Sequence, residues 1–374
     1  MRTRLLGLLA VGAAGALTLS ACGGSSSGTT PGGSDTGAAT SAAAKGKVGV
    51  ILPDSASSAR WETADRKFLT DAFTAAGIEV DIQNAGADKT KFGTIADGMI
   101  AAGVKAMMIV NLDSDSGAAV IKKATDAGIP VIDYDRLTLG GGAAYYVSFD
   151  NVAVGTTIGQ GLVDCLKADG KTSGAVVLLN GSPTDNNATL FKQGYAKVIK
   201  DAGYTVADDQ AVPDWDNTKA GTIFEQIYTK TAGKFIGVAS ANDGLGGAVV
   251  SVLQRNGQAG KIPVTGQDAT DEGLQRVLQG TQCMTVYKAI KKEADAASAL
   301  AISLINGDTA GADSAASGVT KDSVTGKDVK SVLLTPQAIT KATVKDVIAD
   351  GFTTKEKVCT TPELQKLCTE NGIS

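Results

Sequence analysis

From Lys47 onward, short apolar runs alternate with longer segments whose apolar residues recur at helical spacing. Residues 48–52 form a β-rich run, and 58–76 show helical spacing that stops at Gly77. Residues 78–83 predict a strand, 91–102 a helix stopped by Gly103, and 106–110 a strand. Residues 116–127 predict a helix stopped by Gly128, and 130–134 a strand. A glycine just past the last periodic position is a helix stop, because it adopts the left-handed backbone that ends the turn. The pattern resumes after a strand at 145–149. It gives a helix over 154–168, a strand over 174–179, and a helix over 188–202 stopped by Gly203. Strands at 235–239, 263–266 and 284–287 then enclose helices at 245–256 and 271–278.

Strands alternating with helices mean βαβ units, so parallel sheets with helices on both faces. Two such series predict two α/β lobes of similar, Rossmann-like build. Ile129-Pro130-Val131 is followed by Asp135 at the same offset as Asp268 follows Ile262-Pro263-Val264. Each aspartate falls at the carboxyl end of a predicted strand, where ligands of open α/β sheets bind.

The start of the chain differs from this body. Arg2 and Arg4 precede an apolar run over 5–19, then Leu19-Ser20-Ala21-Cys22. A basic start, an apolar stretch short for a membrane span and small residues before a cleavage point describe a secretory signal over residues 1–21. The cysteine after Leu-Ser-Ala resembles the lipobox of bacterial lipoproteins. That resemblance implies acylation at Cys22 and a protein held at the outer face of the cell membrane. Residues 22–46 are mostly Gly, Ser, Thr and Ala. They bury too little to fold and predict a flexible tether.

Loss of residues 1–21 takes the balance from 35 basic against 39 acidic residues to 33 against 39, a net charge near −6. A mildly acidic chain argues against nucleic acid as a partner. The sequence has no histidine, which excludes Ser-His-Asp chemistry and argues against a conventional zinc site. No metal or cofactor is expected. Besides Cys22, the cysteines are Cys165, Cys283, Cys359 and Cys368, an even set that suits disulfides in an exported chain. A local Cys359–Cys368 loop is the first expectation. Three pairings, and free thiols at Cys165 and Cys283, stay open.

Dense polar stretches sit at the predicted strand ends: Arg60-Trp61, Tyr134-Asp135-Arg136, Ser148-Phe149-Asp150-Asn151, Gly181 to Ala188, Asp214-Trp215, Asn242-Asp243, Gly266-Gln267-Asp268-Ala269 and Met284 to Lys288. They mix carboxylates, amides and guanidinium groups with both tryptophans. Sugar hydroxyls donate and accept, so such groups fix them, while a ring's C–H face lies on an aromatic.

In order and spacing these stretches resemble the D-xylose-binding proteins of ABC sugar transporters, within the type I periplasmic sugar-binding family, over about 47–352. The resemblance implies roles. Trp61 and Trp215 would stack on the sugar. Arg60, Asp135, Arg136, Asn186, Asn242, Asp268 and Lys288 would bond its hydroxyls, with Asp185, Asn187 and Asp243 ranked behind them. Structural readings exist beside these: tryptophans in the core, Asn186 and Asn242 as helix caps, Asp135 with Arg136 as an ion pair.

The fold it implies has a lobe of residues 47–150 plus 288–333 and a second of 151–287 plus 334–374, joined by a three-stranded hinge. The function it implies is capture of a monosaccharide, D-xylose or a related sugar, by a monomeric, non-enzymatic protein outside the cytoplasm. A separate ABC permease and ATPase would receive the sugar. A sugar-sensing lipoprotein reporting to a membrane receptor or kinase would use the same pocket. A carbohydrate-active enzyme using paired carboxylates is a third class.

Overall fold

The structure, a computed structural model, describes residues 46–373. The expected signal, Cys22 and the tether up to residue 45 lie outside the described residues.

The larger sheet contains β1 (Lys47–Leu52), β2 (Glu79–Asn84), β3 (Ala106–Ile109), β4 (Val131–Tyr134) and β5 (Tyr145–Phe149). The smaller has β6 (Ala175–Asn180), β7 (Thr205–Ala211) and β8 (Val238–Ser240). Then follow β9 (Thr285–Tyr287), β10 (Gly318–Lys321), β11 (Asp328–Leu334) and β12 (Gln337–Ile339).

The seven-stranded order is β10-β11-β5-β4-β3-β1-β2, parallel except for β10 at its edge. The second sheet is parallel in the order β7-β6-β8, and β9 pairs antiparallel with β12. The chain leaves the large sheet after Phe149, returns after Tyr287 and leaves again between Leu334 and Gln337.

Strand periodicity explains the core. Val48, Val50 and Leu52 of β1 join Ala106 and Met108 of β3 in one cluster, under Leu69 and Phe73. Ile51, Met107 and Ile109, one residue out of step, join the opposite cluster with Phe92 and Val120. Alternate side chains thus enter opposite layers, as in a parallel sheet covered on both faces. The smaller sheet is covered by helices Asn151–Ala168 and Asn186–Asp201. These two approach closely because of glycine. A Cβ on Gly155 would stand 2.1 Å from the Phe191 carbonyl oxygen, and one on Gly194 2.5 Å from that of Val152.

Helices stop at Gly77, Gly103, Gly128 and Gly203 with φ of +69°, +73°, +73° and +85°. The chain over 263–266 is less than the expected strand, making only a bridge between Val264 and Val238. The sequence pattern missed β7 and helix Asn217–Thr231. Cys165 bonds Cys283, and Cys359 bonds Cys368. The second disulfide closes a tail of short helices packed on helix Asp271–Gln279 and on Ala269. Among the described residues no helix is long and apolar enough to cross a membrane, and no cluster of ligands would hold a metal.

Candidate functional site

A small cavity of about 30 Å³ opens where the ends of β1, β4, β6, β7, β8 and β9 converge. Eight of the nine expected residues line it: Arg60, Trp61, Asp135, Arg136, Trp215, Asn242, Asp268 and Lys288. The ninth, Asn186, does not. It opens helix Asn186–Asp201, whose cap is Asp185, accepting from the Asn187 backbone N–H at 2.9 Å. That register sends Asp185 and Asn187 into the cavity, the two ranked lower from sequence.

Asp135 is the centre of the site. Its backbone has φ +63°, a left-handed conformation that costs a non-glycine residue about 1–3 kcal/mol and persists where surroundings enforce it. Here its carbonyl oxygen accepts from Tyr146, Ser148 and Asn187 at 2.8–3.0 Å. Oδ2 accepts from Arg60 at 2.8 Å and Lys288 at 3.1 Å, and Oδ1 from Asn187 at 3.1 Å. Burial alone would raise this carboxyl; Lys288, Arg60 and Arg136 together hold it well below the usual range. The acid is ionised and Oδ1 keeps acceptor capacity.

Arg60, expected to bond hydroxyls, is mostly committed to protein. Its Nε and Nη2 donate to Asp65 at 2.9 and 2.8 Å, and Nη2 also to Glu293 at 2.8 Å. With Nη1 on Asp135, one N–H remains. Its guanidinium lies 4.3 Å from the Trp61 ring centre, and that of Arg136 5.6 Å. Arg136 bonds Asp185 at 3.0 Å and the Asn111 carbonyl at 3.2 Å, leaving Nη2 uncommitted.

On the other wall, the Trp215 indole N–H donates to Asp185 at 3.0 Å, and its ring meets Phe191 edge-on at 6.4 Å. Gly181 is required beneath it: a Cβ there would stand 2.0 Å from the ring. Asn242 does cap its helix, accepting from Leu245 N–H at 2.9 Å, while Nδ2 donates to the Ser57 carbonyl at 3.3 Å. Asp268, at φ +101°, accepts from Ser58 at 2.9 Å and from Gln267, with Lys288 4.0 Å away. Asp243 is not in this cavity's lining. It is fully buried and accepts from Thr270 N–H, Gln282 and Thr285 at 2.7–2.9 Å. It ties the Asp268 loop to β9, and burial pushes its carboxyl up to about 6.

Sequence reasoning did not single out Ser57, Ser58 or Phe191 in the lining, nor Asp65 and Glu293 behind Arg60, and it quoted Gln267 in a candidate stretch without giving it a role. Phe191 was within reach, one helical turn beyond Asn187. The serines sit in a low-complexity stretch that carries no signal.

Residues 48–309 match the model of the "Periplasmic binding protein domain" family. A D-xylose-binding periplasmic protein of Escherichia coli is 36% identical over 82% of this chain and 90% of its own. A multiple sugar-binding periplasmic receptor of Rhizobium radiobacter is 33% identical over 83% and 91%. Among solved structures, an ABC transporter solute-binding protein of Clostridium phytofermentans with bound β-D-glucose superposes with a TM-score of 0.74 at 26% identity. It covers 83% of this chain and 99% of that one.

Proposed function

We propose, from the premise that the chain belongs to the periplasmic binding protein family, that it captures one monosaccharide, D-xylose by preference, and delivers it to an ABC permease. The family and its relatives make it a binding protein, not an enzyme. The observation that carries the sugar reading is the unspent hydrogen-bond capacity in one small cavity between two aromatic-bearing walls. Asp135 Oδ1 accepts; Arg136 Nη2, the last Arg60 N–H and two Lys288 protons donate. Hydroxyls satisfy both kinds of group, and burial leaves each costly unless paired. Trp61 and Trp215 offer apolar rings to the sugar's C–H faces.

Capture would proceed by closure of the lobe carrying Arg60, Asp135 and Arg136 on that carrying Asn187, Trp215, Asn242 and Asp268. A sugar touching both stabilises only the closed arrangement. The preference for D-xylose is supported by the Escherichia coli relative, while the other relatives name several sugars or glucose. The lipid anchor on Cys22 completes the proposal: it would keep the protein beside its permease. A sensing role finds support in the Rhizobium relative's description as a receptor.

Calorimetric titration of residues 47–374 with xylose, ribose, arabinose, glucose and galactose tests this. One-to-one xylose binding, lost in Asp268→Ala, is expected. Binding of none of the five overturns the sugar reading, and stronger binding of another sugar overturns the xylose preference.

A further inference from the structure

Behind the sugar-facing residues, one guanidinium serves three carboxyl groups. Arg60 bonds Asp65, Asp135 and Glu293 at 2.8–2.9 Å, and every one of these side chains is at most 4% exposed. Among the described residues the other cation bonded to these carboxyls is Lys288, which reaches Asp135; Arg136, which also acts on Asp135, is paired with Asp185. Three ionised carboxylates against two cations would leave a net negative charge in a dry interior, an arrangement that protonation relieves.

The hydrogen bonds say which carboxyl takes the proton. Asp65 accepts two Arg60 N–H groups and the Tyr134 hydroxyl, the last at 2.6 Å. Asp135 accepts from Arg60, Lys288 and Asn187. Glu293 accepts a single bond, on Oε2, and its Oε1 is buried with no partner among the described residues. It therefore has the least support for a negative charge and is fully buried.

We propose that Glu293 is a neutral carboxylic acid in the sugar-binding form, positions Arg60 against Asp135, and weakens sugar binding when it loses its proton. The proposal rests on the sugar-binding reading of this cavity. The titratable and charged groups facing Glu293 are Arg60 and Asp65 from the first turns after β1, Tyr134 and Asp135 from the end of β4, Tyr146 from β5, and Lys288 after β9.

The electrostatics agree. Burial pushes the Glu293 carboxyl well above the ordinary range; Arg60 opposes this, and Asp135 adds to it. Asp135 in the same cluster is held low. Adjacent carboxyls whose surroundings drive them apart have divided roles, one neutral and one charged. An ionised Glu293 would repel Asp135 most strongly when closure has removed water from Asp135. The closed, sugar-bound form thus holds the Glu293 proton more tightly than the open form. By linkage, affinity falls as pH rises through this titration.

Two measurements test this. The first is the ¹³C carboxyl shift of labelled Glu293, assigned with Glu293→Gln and followed over pH without sugar. A group that stays neutral above about pH 7 supports the proposal; titration with ordinary glutamates near pH 4–5 overturns it. The second is xylose affinity from about pH 7 to about pH 10. The wild type should lose on the order of tenfold, while Glu293→Gln, a neutral isostere that still accepts from Arg60, keeps its affinity at pH 7 and loses this dependence. Equal pH profiles for the two proteins, or strong loss of binding by Glu293→Gln at pH 7, would overturn it. If the wild type binds no sugar at any pH, the sugar reading has failed and the carboxyl shift still decides where the proton sits.

Discussion

The Asn187 side-chain amide donates to the carbonyl oxygen of Asp135 at 2.9 Å and to its Oδ1 at 3.1 Å. That bond joins the helix after β6 to the end of β4, so the two sheets are held together at the site itself. Ser58 to Asp268, Arg136 to Asp185 and Asn242 to the Ser57 carbonyl run alongside it. The two sheets thus meet through direct bonds around the cavity.

Asn187→Ala should therefore weaken sugar binding although Asn187 has little capacity left for sugar. Both its amide protons go to Asp135, and its oxygen accepts from Asn151 at 2.9 Å. Loss of bonds to a charged group costs about 1.5–3 kcal/mol, so affinity should fall roughly tenfold or more. Calorimetry checks this. An unchanged Kd would mean that closure does not use this bond.

Gly181→Ala should disable the Trp215 wall from beneath. The new methyl would overlap the indole at 2.0 Å, so the ring must move, and with it the bond to Asp185. Trp215 and Trp61 are the only tryptophans in the chain, which makes fluorescence a direct readout. The expected outcome is a shifted emission, a smaller sugar-induced change and affinity reduced by more than about tenfold, as for displacement of a well-packed aromatic.

The absence of histidine isolates another effect. Burial raises Asp133 to about 7 and Asp243 to about 6, and holds Glu293 well above the ordinary range. A carboxyl with a folded pKa above its unfolded value of about 3.9 favours folding most below that value, and the contribution is lost as pH rises through the folded pKa. Asp135 acts oppositely, since its folded value is depressed. Its contribution is present above about pH 4 and is constant over the range in question. With no histidine to titrate, thermal stability should fall by several degrees from about pH 5 to about pH 8. Asp133→Asn should reduce the slope, leaving the share that Asp243 and Glu293 carry. A rise in Tm across this window would contradict the assignment.

Legibility of the fold followed burial. The β1 run Val48 to Leu52 is fully buried and was plain in sequence. Edge strand β7, Thr-Val-Ala-Asp-Asp-Gln-Ala, buries only Asp208 and has no apolar run to detect. In the site, residues with distinctive chemistry at strand ends were legible. What was hidden depended on direction. Asn186 and Asn187 are the same residue type, and only the helix register set by the Asp185 cap decides which faces the cavity. Asp65 and Glu293 lie 228 positions apart and meet only through Arg60.

The two disulfides should separate stability from affinity. Cys165–Cys283 closes a separation of 118 residues and Cys359–Cys368 one of 9. By loop entropy, removing the first costs about 5 kcal/mol and the second about 2.7 kcal/mol. So Cys165→Ser with Cys283→Ser should lower Tm more than Cys359→Ser with Cys368→Ser. Affinity should order the other way. Cys359 and Cys368 pack in the same buried cluster as Ala269 and Tyr287, which adjoin Asp268 and Lys288 in sequence. Tyr287 also bonds Asp350 of the tail at 2.5 Å, and Thr353 bonds Asp271. Loosening the tail frees the backbone that holds two groups of the cavity lining, including the φ +101° conformation of Asp268. A loss of about fivefold in affinity, about 1 kcal/mol, is expected for the tail pair at a temperature where both proteins are folded. If instead affinity tracked Tm in both variants, the tail would be a stabilising appendage with no part in placing Asp268.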